Sequence, residues 1–349
     1  MADKIRLGFI GAGGMGQAAH IHNYAQLTDM CELVALAEIR PKLARRVADR
    51  YGIAEVYPDH TALLESADVD AVVAIMGYAL HHNVVPDILN AGTHLLTEKP
   101  IGCRADAAES WAKLARDKGL VYLVGYMKRW DLGVRYVVDL ITRWRASGEY
   151  GKLTYLRCNM SGTDWTWNPE DPLFTDEGFD KPLAAEPFPE KFDDEQAQLY
   201  NTQINFYVHQ VNLIRFLVGE DYVLDFNHPS GKTFTATTES GTPIVLEMGI
   251  YELNQSWDEI YHICFEGADI ELRLPAPLHK QQNGEVRVRR NTGETREELC
   301  PNIIPPSWSF FEQAKGFLEC VQSGRAPHDS AGDAVKDLRI FERQVELSS

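Results

Sequence analysis

The sequence predicts two folding units of different class, an α/β domain over residues 1–125 and an α+β domain over residues 126–349. Three observations lead to that division. Through the first 125 residues, short wholly apolar runs alternate with amphipathic stretches, the pattern of a parallel sheet covered on both faces. Beyond residue 230, short segments alternate polar and apolar residues between Gly and Asn turns, as in an antiparallel meander with one open face. A chain of 349 residues is also long enough for two domains of ordinary size.

The first domain reads in order as follows. Residues 5–10 form an apolar strand that enters Gly11-Ala12-Gly13-Gly14-Met15-Gly16, and a helical stretch is expected from there to about Thr28. A strand at 33–37 ends in Glu38. A helix over 41–51 begins at Pro41, whose fixed φ and missing N–H suit a first turn, and stops before Gly52. A strand at 71–75 and a helix over 84–90 follow, the latter stopped by Gly92. The run His94-Leu95-Leu96 then reads as a buried strand leading into Thr97-Glu98-Lys99-Pro100. The proline blocks both helix and further ladder pairing, and biases Lys99 to extended backbone. A helix over about 105–118 and a strand at 121–124 close the series.

Gly11, Gly13 and Gly16 match G-x-G-x-x-G between a strand and a helix. The first glycine permits the tight turn, the second lets a pyrophosphate approach the backbone, and the third lets helix and strand pack closely. The helix start then offers N–H groups and a partial positive charge to the phosphates. Glu38, ending the second strand, stands where a carboxylate accepts from adenosine ribose hydroxyls. Its charge repels a 2′-phosphate and favours NAD, while Arg40 two residues on could serve that phosphate in NADP. A lysine at the carboxyl end of a strand, as Lys99 is, sits where open α/β sheets bind ligands.

In the second half, an amphipathic helix over 132–147 is stopped by Gly148 and Gly151, and residues 152–161 alternate as a strand. Residues 162–200 are irregular and rich in Pro, acids and aromatics, among them Trp165, Trp167, Phe174, Phe179, Phe188 and Phe192. A run of this length inside a compact domain is usually functional or disordered, and its aromatics argue against disorder. Two readings stand: a lid whose Trp165 or Trp167 packs on a sugar face, or aromatics that staple a loop to the core or to a second subunit. A single helix is expected over 200–218, placing Asn205, His209 and Asn212 on one face. The strands of the meander are expected at 234–238, 244–250, 261–265, 270–274 and 286–290, with closing helices over 307–322 and 333–347. The sheet has one face without a covering helix, the place for contact between copies of the chain, so a homodimer or homotetramer is expected.

Composition narrows the function classes. Hydrophobic content of 44% and charged content of 24% suit a globular protein, and a net charge of −17 argues against nucleic acid or an anionic membrane as partner. The one compact basic run, Arg287-Val288-Arg289-Arg290, alternates like the solvated face of a strand. The six cysteines show no CxxC pair, which suits reduced thiols in a cytoplasmic protein, and no apolar run has the length of a membrane span. His81-His82 and the scattered acids lack metal-ligand spacing, so no metal is expected, and Asp193-Asp194-Glu195 reads as a solvated acidic run.

Nearly the whole chain resembles the Gfo/Idh/MocA oxidoreductases. The resemblance rests on the glycine motif, on Glu98-Lys99-Pro100, on Gly125-Tyr126-Met127-Lys128-Arg129 at the domain junction, and on His209, Arg215 and Gly219 in a shared helix frame. His81 falls at the histidine of the family's Thr-Pro-Asn-x-x-His loop, which here reads Met76-Gly77-Tyr78. The resemblance implies a Rossmann domain followed by an open, mostly antiparallel sheet, with the active site between the domains. It implies cofactor contacts from Gly11, Gly13, Gly14, Met15, Gly16, Glu38, Arg40, Met76, Tyr78, His81, Glu98 and Lys99. It also implies a substrate site of Lys99, Tyr126, Lys128, Trp165, Asn205 and His209, although Lys128 reads equally well as a surface lysine.

Oxidising a secondary alcohol requires a group that removes the hydroxyl proton and a donor that stabilises the developing charge on oxygen. Histidine suits the first role and lysine the second, which assigns them to His209 and Lys99. The family's aspartate one helical turn before the histidine is Asn205 here, which supplies no negative charge to a histidinium. The aspartate three residues after it is likewise Asn212. The resemblance therefore implies an NAD(P)-dependent dehydrogenase of a sugar, sugar derivative or cyclic polyol. The alternatives are an NAD-dependent glycoside hydrolase that oxidises its substrate transiently, and a non-enzymatic NAD-binding regulator.

Overall fold

A computed structural model of the chain describes residues 4–162, 172–178, 183–250 and 257–348. They divide into two compact units, one drawn from residues 1–126, 169–197 and 310–338, the other from 127–168, 198–309 and 339–349.

The first unit is a six-stranded sheet of β1 (Ile5–Ile10), β2 (Cys31–Ala37), β3 (Glu55–Tyr57), β4 (Ala71–Ala74), β5 (His94–Thr97) and β6 (Tyr122–Val124), in the order β3-β2-β1-β4-β5-β6. Every pairing is parallel. This doubly wound order reverses between β1 and β4, and ligands bind beyond the strand ends at that point. Leu7, Phe9, Val72, Val73, Leu95 and Leu96 lie buried along the central strands, as their unbroken apolar runs require. The connecting helices are α1 (His22–Tyr24), α2 (Pro41–Tyr51), α3 (His60–Ser66), α4 (His81–Asn90) and α5 (Ala105–Asp117). Gly52 ends α2 in the left-handed conformation at φ +70°. The helix expected to about Thr28 is instead a π-helical turn, Gly16–Ile21, followed by α1, which stops at Tyr24. β3 and α3 were not legible because each is short and only partly buried.

The second unit begins with the 3₁₀ turn Met127–Trp130 and α6 (Leu132–Ser147), which Asp131 caps through the Gly133 and Val134 amides. Its sheet holds eight strands: β7 (Leu153–Gly162), β8 (Tyr222–Asn227), β9 (Thr233–Thr238), β10 (Pro243–Ile250), β11 (Asp258–Phe265), β12 (Ala268–Leu274), β13 (Glu285–Asn291) and β14 (Arg296–Leu299). The order is β14-β13-β12-β11-β7-β10-β9-β8. All pairs are antiparallel except β7 with β10. Burial alternates strictly along β7, β11 and β12, so one face is core and the other is open. Ion pairs cross the open face, Arg157 with Glu247 and Arg289 with Asp269 each at 2.6 Å, so the basic run belongs to a solvated strand face as expected.

The single helix expected over 200–218 is two helices, α7 (Asp194–Phe206) and α8 (Val208–Val218). Tyr207 separates them at φ −112°, ψ 1°, and its carbonyl restarts the ladder by accepting from Gln210 and Val211. No Gly or Pro marks the break. Asn205 therefore stands on α7, and His209 and Asn212 stand on α8. Asp193 accepts from the Gln196 amide at 2.9 Å while the Gln196 side chain accepts from the Asp193 amide at 3.0 Å. That capping box gives the acidic run a structural purpose. The last helices are α9 (Ser309–Ser323) and α10 (Ala331–Leu347). The segment between them joins β6 through the Leu123–Ser330 bridge and the Val124 amide on the Asp329 carbonyl, which ties residues 310–338 into the first unit. Among the described residues no helix is long and apolar enough to cross a membrane.

Candidate functional site

The glycine loop lies at the carboxyl end of β1, beside that of β4. Gly11 has φ +89°, and a Cβ there would stand 2.1 Å from the Ile75 carbonyl oxygen. A Cβ on Gly16 would stand 2.7 Å from the Gly11 oxygen. Both residues must be glycine for the turn to close on its helix. Gly13 and Gly14 differ: the nearest atom to a Gly13 Cβ is the Arg40 guanidinium at 3.8 Å, and a Gly14 Cβ would meet nothing within 4 Å. The loop is thus tight where it packs and bare where a pyrophosphate would approach, which fits a dinucleotide. Met15 directly precedes the π-helical turn that opens the helix.

Glu38 is buried at the end of β2. Its Oε2 accepts from the Ala12 amide at 2.8 Å and from Arg40 Nη2 at 3.0 Å. Its Oε1 accepts from Arg40 Nε at 2.7 Å and from the Arg40 amide at 3.1 Å. A carboxylate has about four acceptor positions. A ribose hydroxyl that donates to Glu38 would therefore share or displace one of these four donors. The Glu38 hydrogen bond is the main cause that raises the Arg40 pKa above its ordinary value.

Lys99 follows β5, half-buried, with a cis bond to Pro100. Glu98 accepts from the Lys99 amide at 3.1 Å and from His20 Nε2 at 2.8 Å. Desolvation raises the Glu98 pKa, but the His20 bond and the charges of His20 and Lys99 outweigh it and hold the carboxyl below the ordinary range. His81 is fully buried, and its Nδ1 donates to the Ile101 carbonyl at 2.9 Å. Burial lowers its pKa to about 4, so the ring is neutral and supports the loop that follows Lys99. Met76 and Tyr78 are half-buried beyond β4, and burial pushes the Tyr78 hydroxyl up to about 12. Tyr126 is buried directly after β6.

In the second unit, Lys128 is no surface lysine. It is buried and its Nζ contacts Glu259 Oε2 at 2.5 Å. Glu259, itself fully buried on the core face of β11, also accepts from Gln210 Nε2 at 2.9 Å, Tyr261 Oη at 2.8 Å and Trp257 Nε1 at 3.2 Å. Arg129 donates to the Asn212 carbonyl at 3.0 Å. Lys128, through Glu259 and Gln210, and Arg129 directly, thus brace α8 at two positions just after His209. His209 is half-buried in the first turn of α8, and Asn205 is half-buried near the end of α7. Trp165, Trp167 and Phe179 lie outside the described residues, and so does the tryptophan lid. Among the described residues no group of three His, Cys, Asp or Glu side chains is placed to hold a metal ion.

Sequence reasoning missed His20, Gln17 and Glu259. No local motif marks them, because each acts through a partner 49 to 156 positions away.

A family described as an oxidoreductase family with an NAD-binding Rossmann fold matches residues 5–126. An inositol 2-dehydrogenase from Burkholderia cenocepacia (strain HI2424) is 30% identical over 345 residues, covering 94% of this chain and 89% of that protein. Levoglucosan dehydrogenase, solved with NADH and levoglucosan, superposes with a TM-score of 0.73 at 18% identity, over 99% of this chain and 97% of that one. KijD10, a 3-ketoreductase from Actinomadura kijaniata solved with NADP and TDP-benzene, superposes at 0.70 with 19% identity, over 97% and 96%.

Proposed function

The chain belongs to the Gfo/Idh/MocA family of oxidoreductases, and from that premise we propose an NAD-dependent dehydrogenase acting on a secondary alcohol of a sugar, sugar derivative or cyclic polyol. The observation that carries this reading is the end-to-end likeness to an inositol 2-dehydrogenase. NAD is preferred over NADP because the residue ending β2 is an acid, Glu38, and the neighbouring cation, Arg40, is already committed to it.

The residues that would hold the dinucleotide are the Gly11–Gly16 loop for its phosphates and Glu38 for its adenosine ribose, with Met76, Tyr78, His81, Glu98 and Lys99 around the loops beyond β4 and β5. The bound dinucleotide supplies the hydride acceptor. Lys99 orients the reacting hydroxyl and stabilises charge on its oxygen, and His209 takes its proton. With Asn205 in place of an acid, a protonated His209 gains no charge partner from that position, and more of the proton handling falls to Lys99. Tyr126 and Lys128 set the walls of the substrate site, Lys128 from its anchored place on Glu259. The open face of the eight-stranded sheet joins copies of the chain. A reducing, cytoplasmic setting accords with six free cysteines, four of them buried.

Incubation with NAD⁺ and a panel of sugars, cyclic polyols and aryl glycosides tests this reading. Net NADH with one of the first two classes is expected. Glycoside cleavage without NADH identifies the redox-neutral hydrolase, and no turnover at all with tight NAD⁺ binding identifies a regulator.

A further inference from the structure

A strap from far along the chain crosses the adenosine end of the first unit. The Gln17 side chain clasps the Leu173 backbone from both sides, accepting from its amide at 2.8 Å and donating to its carbonyl at 3.0 Å. Arg46 Nη1 donates to the Phe174 carbonyl at 2.7 Å. Glu177 then ends the strap on α2: its two oxygens accept from the Lys42 and Leu43 amides, each at 3.0 Å, and Thr175 Oγ1 steadies it at 2.9 Å. The residue before α2, Arg40, makes no side-chain cap, and the carboxylate of Glu177, 134 positions beyond Leu43, fills that place.

These are the groups that would hold a phosphate on the adenosine 2′-oxygen. In doubly wound folds the ribose lies at the end of β2, and an arginine there accommodates the 2′-phosphate. The free amides of a following helix start would complete such a site. Here the arginine carries Glu38 and the two amides carry Glu177. The charge of Glu177 also acts on Arg40, adding to the larger effect of the Glu38 hydrogen bond. Desolvation raises the Glu177 pKa, but bonds from Lys42, Thr175 and Leu43 outweigh it, so the group is an anion at neutral pH.

We infer that Glu177 is a cofactor-specificity residue, which occupies the 2′-phosphate position of the dinucleotide site and excludes NADP. The inference rests on the NAD reading above and adds a second acid to Glu38, supplied from outside the sequential Rossmann segment. It requires no movement of the strap when NAD binds, because a free 2′-hydroxyl asks for neither the Lys42 nor the Leu43 amide.

Titration calorimetry with NAD⁺ and NADP⁺ on the wild-type chain, Glu177→Gln and Asp176→Asn tests this by binding alone. Wild type is expected to bind NAD⁺ more tightly. Glu177→Gln is expected to bind NADP⁺ about tenfold more tightly, with NAD⁺ affinity within about twofold, since charge-assisted bonds to the amides become available to the phosphate. Asp176→Asn, which removes the same charge from the exposed neighbouring residue, is expected to leave the ratio unchanged. Wild type binding NADP⁺ as tightly as NAD⁺ overturns the cofactor reading and this inference together. An unchanged ratio in Glu177→Gln, or an equal change in Asp176→Asn, overturns the inference and leaves the cofactor reading standing. A melting temperature for each variant separates loss of the α2 cap from loss of selectivity.

Discussion

The His20 ring donates from Nε2 to the Glu98 carboxylate at 2.8 Å, which fastens the helix after the glycine loop to the residue before Lys99. Glu98 titrates below the ordinary carboxylate range in the folded chain. A carboxyl with a depressed folded pKa adds stability above its unfolded value and loses it as pH falls through the folded one. Glu98→Gln is therefore expected to cost about 1–3 kcal/mol near pH 7. The gap from wild type should close as pH falls below the ordinary carboxylate range. A gap in melting temperature that stays constant down to about pH 3 would show that Glu98 is held by packing and not by charge.

Lys99→Met should leave NAD⁺ affinity within about threefold and lower turnover by roughly 10²-fold or more. His209→Asn should lower turnover by roughly 10²–10⁴-fold. Single-wavelength NADH kinetics and calorimetry read both quantities. A folded Lys99→Met variant that no longer binds NAD⁺ would make the lysine chiefly a cofactor ligand and count against its role at the reacting hydroxyl.

His81 makes the fold sensitive to mild acid. Its folded pKa of about 4 lies below the unfolded value near 6.5. The unfolded chain takes up the proton first, so the contribution is complete above pH 6.5 and lost as pH falls toward 4, on the order of 3 kcal/mol. His81→Gln keeps a donor for the Ile101 carbonyl and does not titrate in this window. The slope of melting temperature against pH between these limits should be flatter in the variant.

The buried pair of Lys128 and Glu259 separates anchoring from substrate contact. Lys128→Met leaves an uncompensated buried carboxylate and is expected to destabilise the second unit by about 3–5 kcal/mol. Removing both charges in Lys128→Met/Glu259→Gln should recover most of that. If the double variant is stable and KM is unchanged, Lys128 braces the site without touching substrate.

Two glycines of one loop should respond oppositely. Gly11→Ala meets a carbonyl oxygen at 2.1 Å in a left-handed backbone, and should yield little folded protein. Gly13→Ala has room in the free protein, and should fold normally while weakening NAD⁺ binding by about tenfold or more, roughly 1.4 kcal/mol. Equal thermal shifts in the two would contradict the division of the loop into a packed side and a bare side.

The α/β series was legible because the centres of parallel strands buried on both faces must be apolar, as 7–10 and 71–75 are. The glycine loop was legible because backbone sterics act on neighbouring residues, so its rule is written locally. Glu98-Lys99-Pro100 was visible for the same reason, since a proline marks a strand exit without help from elsewhere. What the sequence by itself determined about this chain is therefore its fold class and the local shape of its glycine loop, and it singled out Lys99 and His209 as candidates for the chemistry proposed above.

Only the tertiary structure decided their surroundings. It settled that Lys128, which could equally have been a surface lysine, is the partner of a fully buried Glu259. It divided the helix that carries Asn205 and His209 at Tyr207, where no helix breaker stands. It also brought Glu177 onto α2 and His20 onto Glu98. Each of these depends on burial or charge shared between residues far apart in the chain. Local propensity carries no record of such partners, because desolvation and hydrogen bonding act through space and not along the sequence.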